Sequence, residues 1–285
     1  MFTRGTRKDE ITAAGSALRQ AVLPALDGID RVVRHIRAST GRRQVNLSTF
    51  ASFTTLWLMP RLAGFQQLHP DIDIRITATD VRADLDDPGL DLVLRGDFAA
   101  NLPPDAALLF GELLSPVASP FLTRQAASDQ APPLAAVAGL ASHVLLEEDD
   151  HRPSASSLSW RRRLDPMGQR TLQPRRRTDL NCTHQQVRGA LAGQGVALAQ
   201  LALVHEQLLR GELAEPFGPA GRLAAPGAYW LLPLPGARLR PELRAFIDWV
   251  RGEASVARAA LGLPQGLPAP APASPATDAG RASTP

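Results

Sequence analysis

Apolar residues recur at steps of three and four along residues 11–36, which is the spacing of one face of an α-helix. They are Ile11, Ala14, Leu18, Val22, Ala25, Ile29, Val32 and Ile36. The hydroxyl of Thr12 can cap the start of this helix, and Pro24 is expected to bend the helix without ending it. A helix of about 25 residues is about 38 Å long at 1.5 Å per residue. Because so long a seam has little of its own chain beside it, the pattern favours pairing with a second helix over packing on its own domain.

The pattern changes at Gln44. Alternation in "QVNLST" predicts a strand, helical spacing from Leu58 to Leu68 predicts a helix that ends before Pro70, and "DIDIRITA" alternates again. A strand, a helix and a strand in this order form a right-handed parallel crossover, so the sequence predicts an α/β fold. An amphipathic helix, "RPELRAFIDWVRGEA", closes the folded part, and the segment beyond it is too poor in bulky apolar residues to order. Further strands are predicted at residues 90–95, 112–119, 143–147, 195–199 and 228–233.

Composition narrows the class of protein. The 285 residues with 44% hydrophobic content are enough for one large or two modest domains. Cys182 is the only cysteine, which excludes an intramolecular disulfide and a cysteine-based zinc site. No segment has the length of a signal-peptide core or a membrane span, so the protein is expected to stay in the cytoplasm, away from membranes.

The net charge of +3 hides an uneven distribution. Residues 1–43 hold nine Arg or Lys against four Asp or Glu, and residues 161–177 hold seven Arg against one Asp. The sequence pI of 9.9 raises a nucleic-acid hypothesis. The internal run "RRRLDPMGQRTLQPRRR" has no interleaved aromatic residues and follows "EEDD" closely, so a solvated or mutually paired surface is the better interpretation.

Motifs of enzymes are weak in this chain. "GQGVAL" at 193–198 resembles the start of a dinucleotide-binding loop, but it lacks the third glycine and follows a helix, so it predicts a tight turn. The histidines show no metal-ligand spacing and are assigned surface or capping roles; they include His143, His151, His184 and His205. With no nucleophile elbow, phosphate loop or paired carboxylates, neither an enzyme nor a cofactor or metal site is expected.

The order of these segments resembles the LysR-type transcriptional regulators from Phe2 to about Glu253. "FTRGTRKDEITAAG" is similar to the wing of that family's DNA-binding domain, and "WLMPRLAGFQQLHPDIDI" and "GLDLVLRG" are similar to its first helix and following strands. "SPVASPFL", "ALAGQGVALAQLALVHEQLLRGEL" and "AFIDWVRGE" complete the resemblance. "FASFTTLWLMPRL" resembles the branch of the glycine-cleavage regulators.

The resemblance implies a long N-terminal linker helix followed by an effector domain of two subdomains, like a type 2 periplasmic binding protein. The implied parts are a wing remnant at 1–11, a linker and dimerisation helix at 12–40, an effector domain at 44–254, and a disordered tail at 263–285. Subdomain I would combine 44–117 with 228–254, and subdomain II would span 118–227.

A helix-turn-helix normally precedes the wing in this family, and the sequence begins after it. The expectation is therefore that specific DNA binding is lost or needs a full-length partner, with Arg4, Arg7 and Lys8 left as phosphate contacts. Either the start codon is misplaced within a longer reading frame or the gene is truncated.

The family's effector lies in a cleft between the subdomains, where helix N-termini favour a carboxylate or an amino acid. The positions that match are Ser52, Thr79 and Arg95 in subdomain I, and Phe121, Asn181 and Thr183 in subdomain II. Arg95 could pair a carboxylate through two hydrogen bonds, whereas Thr183 has the alternative role of a helix N-cap.

The linker helix implies a homodimer or homotetramer, with DNA and possible contact with RNA polymerase as the other partners. The side chains assigned to dimerisation are Leu18, Val22, Ile29, Val32 and Ile36. The alternative function is a small-molecule solute-binding protein without a role on DNA.

Overall fold

The computed structural model describes the chain in eight segments: residues 2–4, 9–38, 43–81, 83–87, 89–128, 130–148, 158–234 and 240–263. The chain forms two compact units. Unit 1 is formed by the described residues of Met1–Arg95, Asp105–Ala107 and Leu231–Glu253, and unit 2 by those of Gly96–Pro104, Leu108–Trp230 and Ala254–Pro285.

The chain begins with an antiparallel hairpin and a long helix. Strands β1 (Phe2–Arg4) and β2 (Asp9–Ile11) pair with Phe2 opposite Ile11, which is consistent with the predicted wing. Helix α1 (Ala13–Ala38) follows, and Thr12 caps it by accepting the Gly15 backbone N–H over 3.1 Å. The helix continues through Pro24, as the apolar spacing predicts.

The predicted strand–helix–strand crossover forms the centre of unit 1. Strand β3 (Arg43–Thr49) pairs in parallel with β4 (Ile72–Ala78) and with β5 (Leu92–Asp97). The connecting helix runs as α2 (Ala51–Phe53), a π-helical stretch (Thr54–Leu58) and α3 (Met59–Leu68). Its Phe65 ring meets Phe246 edge-on, 5.2 Å between centroids, so the C-terminal helix α8 (Pro241–Leu261) packs on this crossover.

Unit 2 contains a sheet with strand order β10-β6-β9-β7-β8, in which β7 is parallel to both of its neighbours and β6 is antiparallel to β9. Its core gathers around the fully buried Trp160, whose ring N–H donates to the Leu146 carbonyl over 3.0 Å. The strands are β6 (Ala107–Val117), β7 (Val144–Glu148), β8 (Arg176–Leu180), β9 (Val196–Gln200) and β10 (Leu223–Pro233). The helices are α4 (Pro120–Ala127), α5 (Trp160–Leu164), α6 (Thr183–Leu191) and α7 (Leu201–Leu209).

The structure corrects several boundaries. Strand β8 was missed because it lies inside the arginine run and its residues 176–179 are all exposed, so no apolar alternation marks it. Strands β6 and β10 begin five residues before their predicted starts at 112 and 228. Helix α8 extends to Leu261, and Leu263 is buried, so packing reaches into the predicted tail; residues 264–285 lie outside the described part.

Two further observations revise one predicted side-chain role and one predicted subdomain boundary. His143 is buried and donates from Nε2 to the Pro132 carbonyl over 2.9 Å, so it is a packing residue and not a surface one. Residues 108–117, predicted in subdomain I, belong to unit 2 because β6 pairs with β9 there, Leu114 opposite Gln200.

Candidate functional site

Arg95 and Thr79 are brought together in unit 1, but Arg95 is engaged by its own chain. Its guanidinium donates to the Thr79 carbonyl over 2.6 Å and to the Val81 carbonyl over 2.9 Å. It also donates to the Ser48 hydroxyl over 3.0 Å and lies 4.5 Å from the centre of the Phe50 ring. These bonds fix the segment after β4, at Thr79 and Val81, against the Arg95 side chain of β5. A two-hydrogen-bond pair with a ligand carboxylate, as predicted for Arg95, would compete with them.

Two hydroxyl side chains lie where β3 passes into α2. Ser52 is buried in the first turn of the helix, and the Thr79 N–H donates to the Thr49 carbonyl over 2.9 Å. Thr49 is 0% exposed, and within the described part of the chain its Oγ1 has no hydrogen-bond partner. The N-cap residue, Phe50, provides no side-chain cap for the first N–H groups of this helix. Sequence reasoning named Ser52 and missed Thr49, although "ST" at a strand end was a visible signal.

The start of α6 in unit 2 already holds a carboxylate. Thr183 is its first residue and Cys182 is the N-cap, so Thr183 does not serve as the cap. The Thr183 hydroxyl instead donates to Oε2 of Glu148 over 2.7 Å, and both side chains are buried. Asn181 is exposed. Because Glu148 supplies negative charge at this helix end, the α6 start suits a hydrogen-bond donor or a cation better than a second carboxylate.

Gln186 lies one turn further along the same face of α6. Thr183 contacts Glu148, and a Cβ added at Gly189 would lie 2.9 Å from Leu146 Cδ1, so this face of the helix covers β7. Gln186 is 0% exposed, and neither its Nε2 nor its Oε1 has a hydrogen-bond partner among the described residues. No sequence signal separated it from an ordinary polar helix position.

Phe121 lies at the other end of α6. It is 59% exposed, and a Cβ added at Gly193 would lie 3.9 Å from its ring. Thr183 and Gly193 are ten residues apart, roughly 15 Å along a helix. The structure therefore does not bring Phe121 together with Asn181 and Thr183.

A buried polar network links β6, β9 and β10 in unit 2. Gln200 donates to Oε1 of Glu112 over 2.6 Å and accepts from the hydroxyl of Tyr229, the chain's single tyrosine, over 2.9 Å. A Cβ at Gly227 would lie 2.6 Å from Oε2 of Glu112, so a side chain there would displace the Glu112 carboxylate. Arg163 donates to the Ala224 carbonyl over 3.2 Å; burial lowers its pKa and the charge of Glu112 opposes that shift. Glu112 and Gln200 are 88 residues apart, beyond the reach of local patterns.

The predicted dimerisation face of α1 is exposed where the structure describes it. Leu18, Val22 and Ile29 are 44%, 39% and 59% exposed. The side chains of Val32 and Ile36 lie outside the described residues, as do Arg7, Lys8 and the side chain of Arg4. His151 is also outside them.

No described helix is both long enough and apolar enough to cross a membrane. Within the described segments, no group of three or more His, Cys, Asp or Glu side chains could hold a metal ion.

Comparison with known proteins identifies the family. Residues 38–255 match the LysR substrate binding domain. The chain is 25% identical over 258 residues to the glycine cleavage system transcriptional activator of Escherichia coli K12, covering 90% of this chain and 79% of that protein. It is 27% identical over 257 residues to the HTH-type transcriptional activator AmpR of Pseudomonas aeruginosa, covering 90% and 81%.

Solved structures agree with this match. The effector domain of AmpR from Pseudomonas aeruginosa superposes with a TM-score of 0.56 at 28% identity, covering 77% of this chain and 99% of that one. CrgA, a LysR-type transcriptional regulator from Neisseria meningitidis, shares the fold with a TM-score of 0.55 at 18% identity, covering 89% and 83%. The chain therefore belongs to the LysR-type transcriptional regulators, and residues 38–255 form its effector-binding domain.

Proposed function

We propose that this chain is the effector-sensing and self-associating part of a cytoplasmic regulator that acts on DNA, and that a bound small molecule changes how the associated chains engage DNA. The observation that carries the proposal is the exposed apolar face of α1, which precedes the effector domain matched at residues 38–255.

Helix α1 has 26 residues, which corresponds to about 39 Å. Its described large apolar side chains are exposed at every turn: Leu18, Val22, Leu23, Leu26, Ile29 and Val33. A contiguous exposed apolar stripe of this length marks an association surface, and spacings of three and four suit a second copy of the same helix. Burying one such side chain contributes about 1.5–3 kcal/mol.

Ile29→Arg tests this association, because it places a charge at the most exposed position of the stripe. Gln20→Arg is the matched control, since Gln20 is an exposed polar residue of the same helix. By light scattering after size exclusion, we expect the parent and the control at twice the 30.5 kDa chain mass or a higher multiple, and Ile29→Arg at the single mass. A monomeric parent at about 100 μM, well above a μM dissociation constant, contradicts the proposal. The same measurement distinguishes a dimer from a homotetramer.

We propose an amino acid as the effector. In unit 1, the Thr49 and Ser52 hydroxyls at an uncapped helix start suit a carboxylate. In unit 2, the buried Glu148 carboxylate at the start of α6 suits an ammonium group. The two groups are proposed as separate sites, one within each unit, and an amino acid carries a group that suits each of them. The roles of Thr79, Phe121 and Asn181 in binding remain predictions.

Thermal-shift measurements with L-amino acids, their 2-hydroxy acids and their decarboxylated amines test the ligand class. We expect an amino acid to raise the unfolding temperature more than either analogue. Glu148→Gln should abolish the preference for the amino group, whereas Glu212→Gln, at an exposed glutamate, should not. Thr49→Val and Ser52→Ala should weaken the response to the carboxylate. If the hydroxy acid stabilises as well as the amino acid, the assignment of Glu148 is wrong.

Phosphate contact by Arg4, Arg7 and Lys8 would give sequence-independent, salt-dependent DNA binding. Replacing all three by alanine should lower the slope of log affinity against log salt by about 3, one for each contact, in fluorescence anisotropy with a duplex. Arg19→Ala, on α1, is the control, and an unchanged slope in the triple variant refutes the contact. RNA polymerase is a further proposed partner; co-sedimentation of purified polymerase with the chain on promoter DNA tests it.

A further inference from the structure

A cavity of about 300 Å³ opens in unit 2 at the edge of the sheet where β7 and β9 begin. Val144, the first residue of β7, and Gly195, which precedes β9, both line it. Glu148 and the start of α6 lie at the opposite edge, where β7 ends. Ligands of open α/β sheets bind outside the carboxyl ends of strands, so this cavity is separate from the patch proposed for the effector.

The turn from Gly193 to Gly195 forms one wall of the cavity. Gly193 has a φ of +73°, which favours glycine, and a Cβ at Gly195 would lie 2.4 Å from the Val144 carbonyl oxygen. The motif "GQG" is thus required by close backbone packing, which also keeps this wall free of side chains except that of Gln194. It does not bind a dinucleotide through a strand-to-helix loop, because it follows helix α6.

The polar residues that line the cavity include one cation and several side chains that can donate hydrogen bonds. They are Arg175, Gln130, Gln194 and Ser142. None of the described residues lining the cavity is acidic, and Arg175 forms no ion pair with a described residue. His143 is fixed in the wall by its bond to the Pro132 carbonyl. A positive charge beside amide and hydroxyl donors is the arrangement that binds an oxyanion.

We propose that this cavity is a second ligand site, for a small metabolite that carries one carboxylate or phosphate group and hydroxyl groups. Arg175 pairs with the anionic group, and Gln130, Ser142 and Gln194 bond the hydroxyls. The volume is at the lower end of small-molecule sites, which fits a ligand of three to six carbons and excludes a nucleotide.

Histidine-selective NMR at constant pH and ionic strength locates binding directly, because His143 is part of the cavity wall and His184 is on the first turn of α6. The probes are glycerate, glycerol 3-phosphate and uncharged glycerol. We expect saturable shifts of the His143 ring with one or both anions, none with glycerol, and no change at His184. Comparing glycerate with glycerol 3-phosphate shows whether the site binds a carboxylate or a phosphate group.

Arg175→Gln should raise the dissociation constant of the active probe by about tenfold or more, since a charge-assisted bond is lost. Arg176→Gln, at the neighbouring exposed arginine outside the cavity, should leave it unchanged. Gln194→Leu provides a second substitution that also weakens binding. An unmoved His143, or equal weakening by Arg175→Gln and Arg176→Gln, overturns the proposal. Neither result bears on the amino-acid response, which Glu148→Gln tests separately.

Discussion

Replacing Gln186 tests how much a buried amide without a hydrogen-bond partner costs in stability. Its side chain is 0% exposed, and neither amide atom is bonded to a described residue. An unsatisfied buried donor or acceptor costs about 1–3 kcal/mol, whereas methionine has nearly the same length and shape and a similar helix propensity. We therefore expect Gln186→Met to increase the free energy of unfolding by about 2 kcal/mol, the middle of that range.

Thermal unfolding measures this effect. For a unit of this size, about 2 kcal/mol corresponds to a rise of about 4–8 °C in the unfolding temperature. Gln185→Met, at the exposed neighbouring residue of α6, is the control and should change stability by no more than about 0.5 kcal/mol. If Gln186→Met instead lowers the unfolding temperature, an ordered water satisfies the amide and the reasoning fails. If the stabilised variant no longer shows a thermal shift with the amino acid, the Gln186 amide binds the effector.

Three further predictions concern charged side chains that are buried or half-buried. Asp91→Ala should lower the free energy of unfolding by about 3–5 kcal/mol in urea denaturation, because the Asp91 carboxylate is buried and Arg240 donates to it over 2.8 Å; little change would refute this. Burial raises the pKa of Glu147, so the charged carboxylate destabilises the fold at pH values above that pKa, and this destabilisation fades as pH falls through it. Glu147→Gln should therefore stabilise the protein at pH 7 and make its unfolding temperature depend less on pH. Burial would also raise the pKa of Glu215, but hydrogen bonds from Arg222 hold it below its usual value, so this pair stabilises above the unfolded pKa and loses its effect as pH falls through the folded one. Unfolding temperatures between pH 7 and pH 3 should therefore decline less steeply in Arg222→Met than in the parent.

The spacing of apolar residues predicted those helices and strands that bury one face of their side chains. The β3–α–β4 crossover is an example. Ile72, Ile74 and Ile76 alternate with polar residues in β4. Leu62 and Phe65 recur at helical spacing in α3. Strand β8 has no such face, because an edge strand with exposed side chains on both sides needs no alternation.

From the sequence, candidate binding residues were proposed at the ends of strands and helices. Ser52 and Thr183 were named from helix starts, but their partners come from pairings made by the tertiary fold. Glu148 meets Thr183 from 35 residues away, and this contact changes the ligand chemistry expected at α6. Arg95 was assigned to a ligand from its position at a strand end. Its actual partners include the backbone carbonyls of Thr79 and Val81, and every residue has such a carbonyl, so the residue types could not predict them.

The arginines of β8 have a consequence for colloidal behaviour. A strand at the border of a sheet offers unpaired backbone groups on which another molecule's strand can add, and such additions start aggregation. Arg176 and Arg177 place like charges along this border, so two molecules approaching edge to edge repel each other. Uncharged residues in their place would remove this repulsion, and we expect the protein to associate edge to edge more readily.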